Sequence, residues 1–209
     1  MPANAYTEGN PIEKFNQIGK TLRRLKMTTY DLNHKFFGQE IKTEYAGTVV
    51  GYVLVGLRVL MGWVMFQGGI VKVLDPEWTA AGYLQFAIPE GNPFIGLFGA
   101  MAGSPVIDFL VMWGLTLTGL GLMLGALTRW NAFWAAFMML MFWIASFTGG
   151  LAEFLPLEHG WVVDDHLVYA VLLFGLGAFG AGRIFGIDGW LEARFPTLRE
   201  NRFYNLFFG

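Results

Sequence analysis

GTVVGYVLVGLRVLMGWVMFQGGIVK, residues 47–72, decides the fold. Only one charged side chain, Arg58, interrupts this run before Lys72 closes it. About 20 consecutive apolar residues carry a helix across a bilayer, and a helix satisfies its own backbone there. Three more runs of this kind follow, at roughly 105–128, 131–152 and 165–186. The polar–apolar alternation of a membrane barrel strand is absent. The link Thr128-Arg129-Trp130 between the second and third runs is so short that their helices must form an antiparallel hairpin. The expected fold is all-α, an integral membrane four-helix bundle.

Composition agrees. Of 209 residues, 55% are hydrophobic and 14% charged, whereas a soluble domain carries about 25% charged residues. A water-soluble enzyme is therefore not expected. The chain has no cysteine, which excludes disulfides, thiolate metal sites, cysteine-bound iron–sulfur clusters and thiol–disulfide relays. The first 30 residues hold no apolar core followed by a small-residue cleavage site, so no removable signal peptide is expected.

The basic residues orient the bundle. Lys14, Lys20, Arg23, Arg24, Lys26, Lys35 and Lys42 precede the first run, Arg129 sits in the tight link, and Arg183, Arg194, Arg199 and Arg202 end or follow the fourth. Basic residues collect on the cytoplasmic side, which predicts a multi-pass protein of the plasma membrane with both termini in the cytoplasm. The far side carries Asp75, Glu77, Glu90, Asp108, Glu153, Glu158, Asp164 and Asp165 against Lys72 alone, eight acids and one base, for a formal charge near −7.

Three parts follow. Residues 1–46 form a basic cytoplasmic segment in which Ile12, Phe15, Ile18, Leu22 and Leu25 stand at near-helical spacing, as in a helix on the membrane surface or a short solvated one. Residues 47–190 form the four-helix domain, and 191–209 a cytoplasmic tail. The external connection 73–104 is broken at Asp75-Pro76, Ile88-Pro89, Asn92-Pro93 and Ser104-Pro105. Its apolar pieces, 77–87 and 94–102, are expected to be short helices capping the bundle. Gly47 and Gly51, Gly121 and Gly125, Ala178 and Gly182, and Gly182 and Gly186 stand four apart, a spacing that lets membrane helices approach closely.

Arg58 is the most informative residue. Eleven positions into its run, it stands about 16 Å along the helix, near the bilayer centre. A charge there is costly and needs a partner. No acidic residue stands at matching depth in the other runs, and Thr116 and Thr118 are the nearest polar candidates. Two readings remain open: Arg58 bonds exposed backbone carbonyls or reaches toward Gln67, or it donates to a ligand oxygen such as a quinone carbonyl. For a quinone, Trp63 and Phe66 would be ring contacts, with Gln67 and Thr116 as further polar contacts. Met138, Met139 and Met141 would supply an adaptable apolar wall or ordinary packing.

At the outer end, Gln67, Lys72, Asp108, Glu153, Asp164, Asp165 and His166 gather by topology. Asp164 and Asp165 stand where residues cap a helix start. An imidazole can accept or pass a proton near neutral pH, so Asp165 and His166 are the candidate proton carriers. No metal is expected, because Glu153, Glu158, His159 and His166 lack a recognisable ligand spacing. No haem is expected either, since the three histidines offer no facing axial pair. Nucleic acid is not an expected partner; the basic segment suits anionic lipid.

Two stretches resemble the DoxX/DoxD family of small four-helix membrane proteins: Arg58-x3-Gly62-x3-Phe66-x2-Gly69-x2-Lys72, and Gly121-Leu-x-Leu-Gly125-x2-Thr128-Arg129. A shorter match runs from Gly182 to Asp188 and Gly189. The resemblance covers about 47–195. The stretch from Glu158 to His166 is similar to archaeal members, particularly those of halophiles. Some members form the membrane subunit of thiosulfate:quinone oxidoreductase, so the resemblance implies a quinone-linked respiratory role, with quinone as substrate or bound ligand. The alternative is a non-catalytic membrane scaffold or accessory subunit of a respiratory complex. Expected partners are membrane lipid, a second small subunit or such a complex, and a further copy of the chain. A transporter ranks last, because the runs show neither broken helices nor an inverted repeat.

Overall fold

The computed structural model describes residues 29–36, 39–147 and 163–209. The surface helix expected at 12–25 and the loop residues Glu153, Glu158 and His159 lie outside them. The chain divides into two units, Met1–Val53 and Leu54–Gly209.

The first unit contains an element that helical spacing did not reveal. Strands β1 (Thr29–Phe36) and β2 (Gln39–Ala46) pair antiparallel, with Thr29 opposite Ala46 and Phe36 opposite Gln39. The period-2 pattern is in the sequence: Tyr30, Leu32 and His34 alternate with Asp31, Asn33 and Lys35, and Ile41, Thr43 and Tyr45 with Glu40, Lys42 and Glu44.

The rest is helical: α1 (Gly47–Val73), a π-helical turn at Tyr83–Ala87, α2 (Ile95–Met101), α3 (Pro105–Leu124), α4 (Thr128–Ala145), α5 (Asp165–Ala178), α6 (Ile187–Arg194) and α7 (Arg202–Phe207). Apart from the β1–β2 hairpin, the architecture is that of an all-α membrane protein. Among the described residues, α1 and α3 are long and apolar enough to cross a membrane. The other two expected spans are shorter than their apolar runs. The α4 helix begins at Thr128 rather than 131 and ends at Ala145, while α5 stops at Ala178 rather than near 186. Gly180, at φ +63, turns the chain there into a 3-10 turn over Ala181–Arg183. Likewise α3 stops at Leu124, not 128. Gly125 closes it in the left-handed conformation, and its N–H bonds the carbonyls of Gly121 and Leu122.

The contact between α1 and α3 comes from glycines outside the four-apart pairs, whereas Gly125, Gly182 and Gly186 of those pairs pack closely at the end of α3. A Cβ on Gly62 would stand 2.8 Å from the Met123 backbone nitrogen and 2.9 Å from the Gly119 carbonyl. One on Gly69 would collide with Thr116, and one on Gly119 with the Phe66 backbone. The α1–α3 crossing is thus backbone against backbone, the kind of packing that holds helices in lipid, where no hydrophobic drive operates. Gly121 serves instead as the seat of the Asn131 side-chain amide, which donates to the Ala126 carbonyl at 2.7 Å. Leu122, Ala132, Ala135, Leu173 and Leu176 form the centre of the core.

The connection from α1 to α3 packs as a second small core. Leu84, Ile88 and Phe98 gather on Ala145 at the end of α4. Two polar residues fasten it. Asn92, buried, donates to the Ile144 carbonyl at 2.8 Å and the Ala145 carbonyl at 3.2 Å. Asp108 accepts from the Ala80 N–H at 2.8 Å. The free carbonyls at the C-terminus of α4 therefore find a side-chain donor.

Candidate functional site

Arg58 is 1% exposed. Its Nη1 donates to the carbonyls of Ala181 and, at 3.0 Å, Ile184; its Nη2 donates to the Phe185 carbonyl at 3.0 Å. All three acceptors lie on the segment that links α5 to α6. A Cβ on Gly125 would lie 2.7 Å from Nη1, which places Arg58 level with the end of α3. Its expected position near the middle of the bundle is thereby corrected: α1 starts well before that end of the bundle, so counting from Gly47 overstates the depth.

Beside it lies a residue that spacing did not single out. Asp188, 0% exposed, accepts from the N–H groups of Leu127 at 2.8 Å, Thr128 at 2.9 Å and Gly209 at 3.1 Å. Two of these are free donors at the start of α4, where a carboxylate also meets the positive end of the helix dipole. The Asp188 N–H donates to the Gly125 carbonyl at 2.9 Å, and the Tyr204 hydroxyl to the Asp188 carbonyl at 3.1 Å. Leu127 holds φ +48, an uncommon value for a branched apolar residue, and its N–H is one of those that Asp188 takes.

Further bonds continue outward. Glu192, buried, accepts from Arg183 Nε at 2.6 Å, and Arg183 Nη2 donates to Asn205 Oδ1 at 3.0 Å. Arg129 donates from Nε to the Gly177 carbonyl at 3.3 Å and from Nη1 to the Asn205 carbonyl. Among the described residues, Arg58 Nε and Thr128 Oγ1 are buried without a partner.

The other candidate ligand contacts do not gather around Arg58. Thr116 donates to the Met112 carbonyl at 2.7 Å and packs at Gly69, eleven residues along α1 from Arg58, or about 16 Å. Trp63 is 53% exposed and Gln67 also faces outward. Phe66 is half-buried, with its ring 6.0 Å from that of Trp63.

At the other end of the bundle, Asp164 caps α5, accepting from the Leu167 N–H at 2.9 Å. His166 Nδ1 lies 2.9 Å from Asp164 Oδ2 and 3.3 Å from Asp165 Oδ1. Burial raises the affinity of Asp164 for its proton, but the Leu167 N–H, the His166 hydrogen bond and the His166 charge outweigh it, so its pKa falls below the ordinary value. The structure thus brings Asp164, Asp165 and His166 together, with one candidate ligand atom from each within 4.8 Å of the others. The capping role foreseen for Asp164 is realised through Oδ1, while its Oδ2 faces the His166 imidazole.

Residues 53–148 match the family model of DoxX. Among curated proteins and solved structures, no significant match is found. The residues that carry the DoxX resemblance have identifiable work. Gly62 and Gly69 form the α1–α3 crossing; Arg58, Gly125 and Thr128 meet at the buried junction with Asp188, which lies beyond the matched stretch. A Cβ on Gly182 would collide with Thr128 Oγ1 and the Asp188 carboxylate, so this glycine lets the α5–α6 segment close onto the junction.

Proposed function

We propose that this protein is a membrane subunit of a quinone-linked oxidoreductase and that it acts there as a scaffold, not as the redox centre. The observation that carries this reading is the use of Arg58: both of its terminal nitrogens donate to backbone carbonyls of the α5–α6 segment. A ligand oxygen at either terminal nitrogen would compete with those carbonyls, and Nε, the remaining donor, is buried. The DoxX match supports the coarser part, a membrane protein of a family often tied to such enzymes.

In this reading the protein is multi-pass in the plasma membrane, with both termini in the cytoplasm, and it assembles with a second small subunit or a respiratory complex. If the electron donor is thiosulfate, as for the enzyme that some DoxX relatives serve, its dianion meets an external face of formal charge near −7, eight acids against one lysine. Binding and oxidation of that anion therefore fall to the partner, unless high salt screens the field. The archaeal, halophile-like stretch before α5 fits such surroundings.

A second reading rests on one observation, the paired His166 and Asp165. There the chain itself contacts the quinone, and this pair supplies protons at the outer surface.

Two measurements separate the readings. Purification from native membranes should bring dehydrogenase or oxidase subunits with the chain and no stoichiometric quinone. Reduction of a water-soluble quinone by the purified assembly should be insensitive to His166→Gln; an altered pH profile in that variant would establish the second reading. For topology, the natural absence of cysteine makes labelling direct. A cysteine at Glu90 should react from outside intact cells and one at Arg194 should not.

A further inference from the structure

A groove of about 360 Å³ lies between α4, α5 and α7. Its floor is Ala132, Gly177 and Ala178, and its walls are Phe133, Phe174 and Phe207. Phe133 and Phe174 are exposed, and the Trp130 ring stands edge-on to Phe207 at 5.0 Å. The small side chains of Gly177 and Ala178 create the recess. The volume falls within the range of about 300–1,000 Å³ typical of small-molecule sites.

Charge is confined to one end. Arg129, second residue of α4, lines the groove there. Its Nε and Nη1 are held by the Gly177 and Asn205 carbonyls, whereas Nη2 has no partner among the described residues. The guanidinium is thus fixed in place with one donor to offer. Arg202, exposed, stands one helical turn before Leu206, which also lines the groove.

We propose that this groove is a binding site for an anionic phospholipid, with one acyl chain along Phe133 and Phe174 and the phosphate on Arg129 Nη2. The argument rests on the membrane placement of the bundle, not on its role in an oxidoreductase. A quinone fits less well: its two carbonyls stand on opposite sides of the ring, whereas the polar side chains of the lining, Arg129 and Trp130, are consecutive residues at the start of α4. A phosphate needs only the cationic end, where Trp130 stands as an interfacial aromatic residue. A guanidinium prefers phosphate for its geometry as well as its charge.

The test uses the full chain in neutral detergent micelles, titrated with phospholipids brominated on the acyl chain, which quench nearby tryptophan. Brominated phosphatidylglycerol should reach half its quenching at a mole fraction about fivefold lower than brominated phosphatidylcholine, the preference expected of one basic side chain at an anionic surface. Trp130→Phe should remove most of the difference, and Arg129→Gln should bring the two lipids together. Because Arg129 also ties α4 to α7, Ala178→Phe provides a second arm: it fills the recess without touching the charge and should abolish the saturable component. Equal titrations for the two lipids, or a preference that survives Ala178→Phe, would overturn the proposal. So would displacement of phosphatidylglycerol by an equimolar short-chain quinone, which would make the groove a quinone site. None of these outcomes depends on an oxidoreductase partner.

Discussion

Arg58 and Asp188 fasten the same buried junction with opposite chemistry and without a direct ion pair: the guanidinium takes carbonyls, and the carboxylate takes N–H groups. Arg58 reaches from α1 to Ala181, Ile184 and Phe185, while Asp188 reaches from α6 to Leu127, Thr128 and Gly209. Between them they satisfy backbone groups that α5 and the α3–α4 link leave open where regular helix stops. Buried charges are tolerated when hydrogen bonds replace their lost hydration, and here the replacement comes from the main chain.

Arg58→Leu should therefore be strongly destabilising. It removes the three bonds that a charged donor makes to the carbonyls of Ala181, Ile184 and Phe185. Hydrogen bonds to charged groups contribute about 1.5–3 kcal/mol each, so the variant should lose several kcal/mol and accumulate poorly. Lys72→Leu should have little effect, since among the described residues the Lys72 ammonium bonds the Gly68 carbonyl of its own helix and lies over the Trp78 ring. Thermal unfolding in detergent, followed by circular dichroism, checks the ranking. Equal stability of the two variants would contradict the role assigned to Arg58.

Asp188→Asn tests the other half. The amide keeps the shape but replaces one acceptor oxygen with a donor group facing N–H groups already in place. Helix α4 would lose charge-assisted capping at its start, an effect of about 1–2 kcal/mol. Hydrogen exchange at Leu127 and Thr128 should accelerate in the variant while exchange in the middle of α4 does not. Unchanged protection at both positions would show that the carboxylate does not hold this turn.

The apolar runs made the helices legible because membrane spans are a matter of length and composition, both local properties. The helix ends were less so. Continuous apolarity carried the fourth run to 186, yet Gly180 breaks it at Ala178, and a glycine inside an apolar stretch does not announce whether it stops a helix or packs one. The β1–β2 hairpin was present as alternation but was masked by the charge count of the N-terminal segment. For the site, Arg58 was conspicuous as a lone charge, and carbonyl bonding was one of its two anticipated roles. Its depth was misjudged because depth depends on where the neighbouring helices end. Asp188 and Asn92 looked like loop residues; their burial arises from contacts 60 and 52 residues away in the chain, which no local pattern encodes.

Gly119→Ala should separate α1 from α3. The added methyl would collide with the Phe66 backbone and stand 2.7 Å from the Gly62 carbonyl, and backbone cannot rotate aside as a side chain can. Overpacking of this kind costs about 1–3 kcal/mol. Gly56→Ala on the same helix as Gly62 meets nothing within 4 Å, and it should stabilise α1 by up to about 1 kcal/mol through helix propensity. Opposite shifts in thermal midpoint are the expected result. A loss at Gly56 as large as that at Gly119 would mean that the exposed face of α1 is packed against something in the detergent-solubilised protein.

The last expectation concerns pH at the start of α5. The Asp164 carboxyl is held below its ordinary pKa of 3.8, with the Leu167 N–H and His166 outweighing its partial burial. A group whose folded value is depressed adds stability that is fully present above its unfolded value and disappears as pH falls through the folded one. The contribution of Asp164 should thus be constant around neutrality and vanish only in strong acid. Asp164→Asn keeps a good capping side chain but loses the charge, so its thermal midpoint should lie below that of the parent at neutral pH and converge on it as acid titrates the parent's carboxylate. Asp164→Ala removes the cap itself and should remain less stable by about 1 kcal/mol near neutrality. His166→Gln tests the source of the shift: without the imidazole, the acid limb of the parent curve should move to higher pH. A limb that stays in place would assign the depression to the Leu167 bond alone.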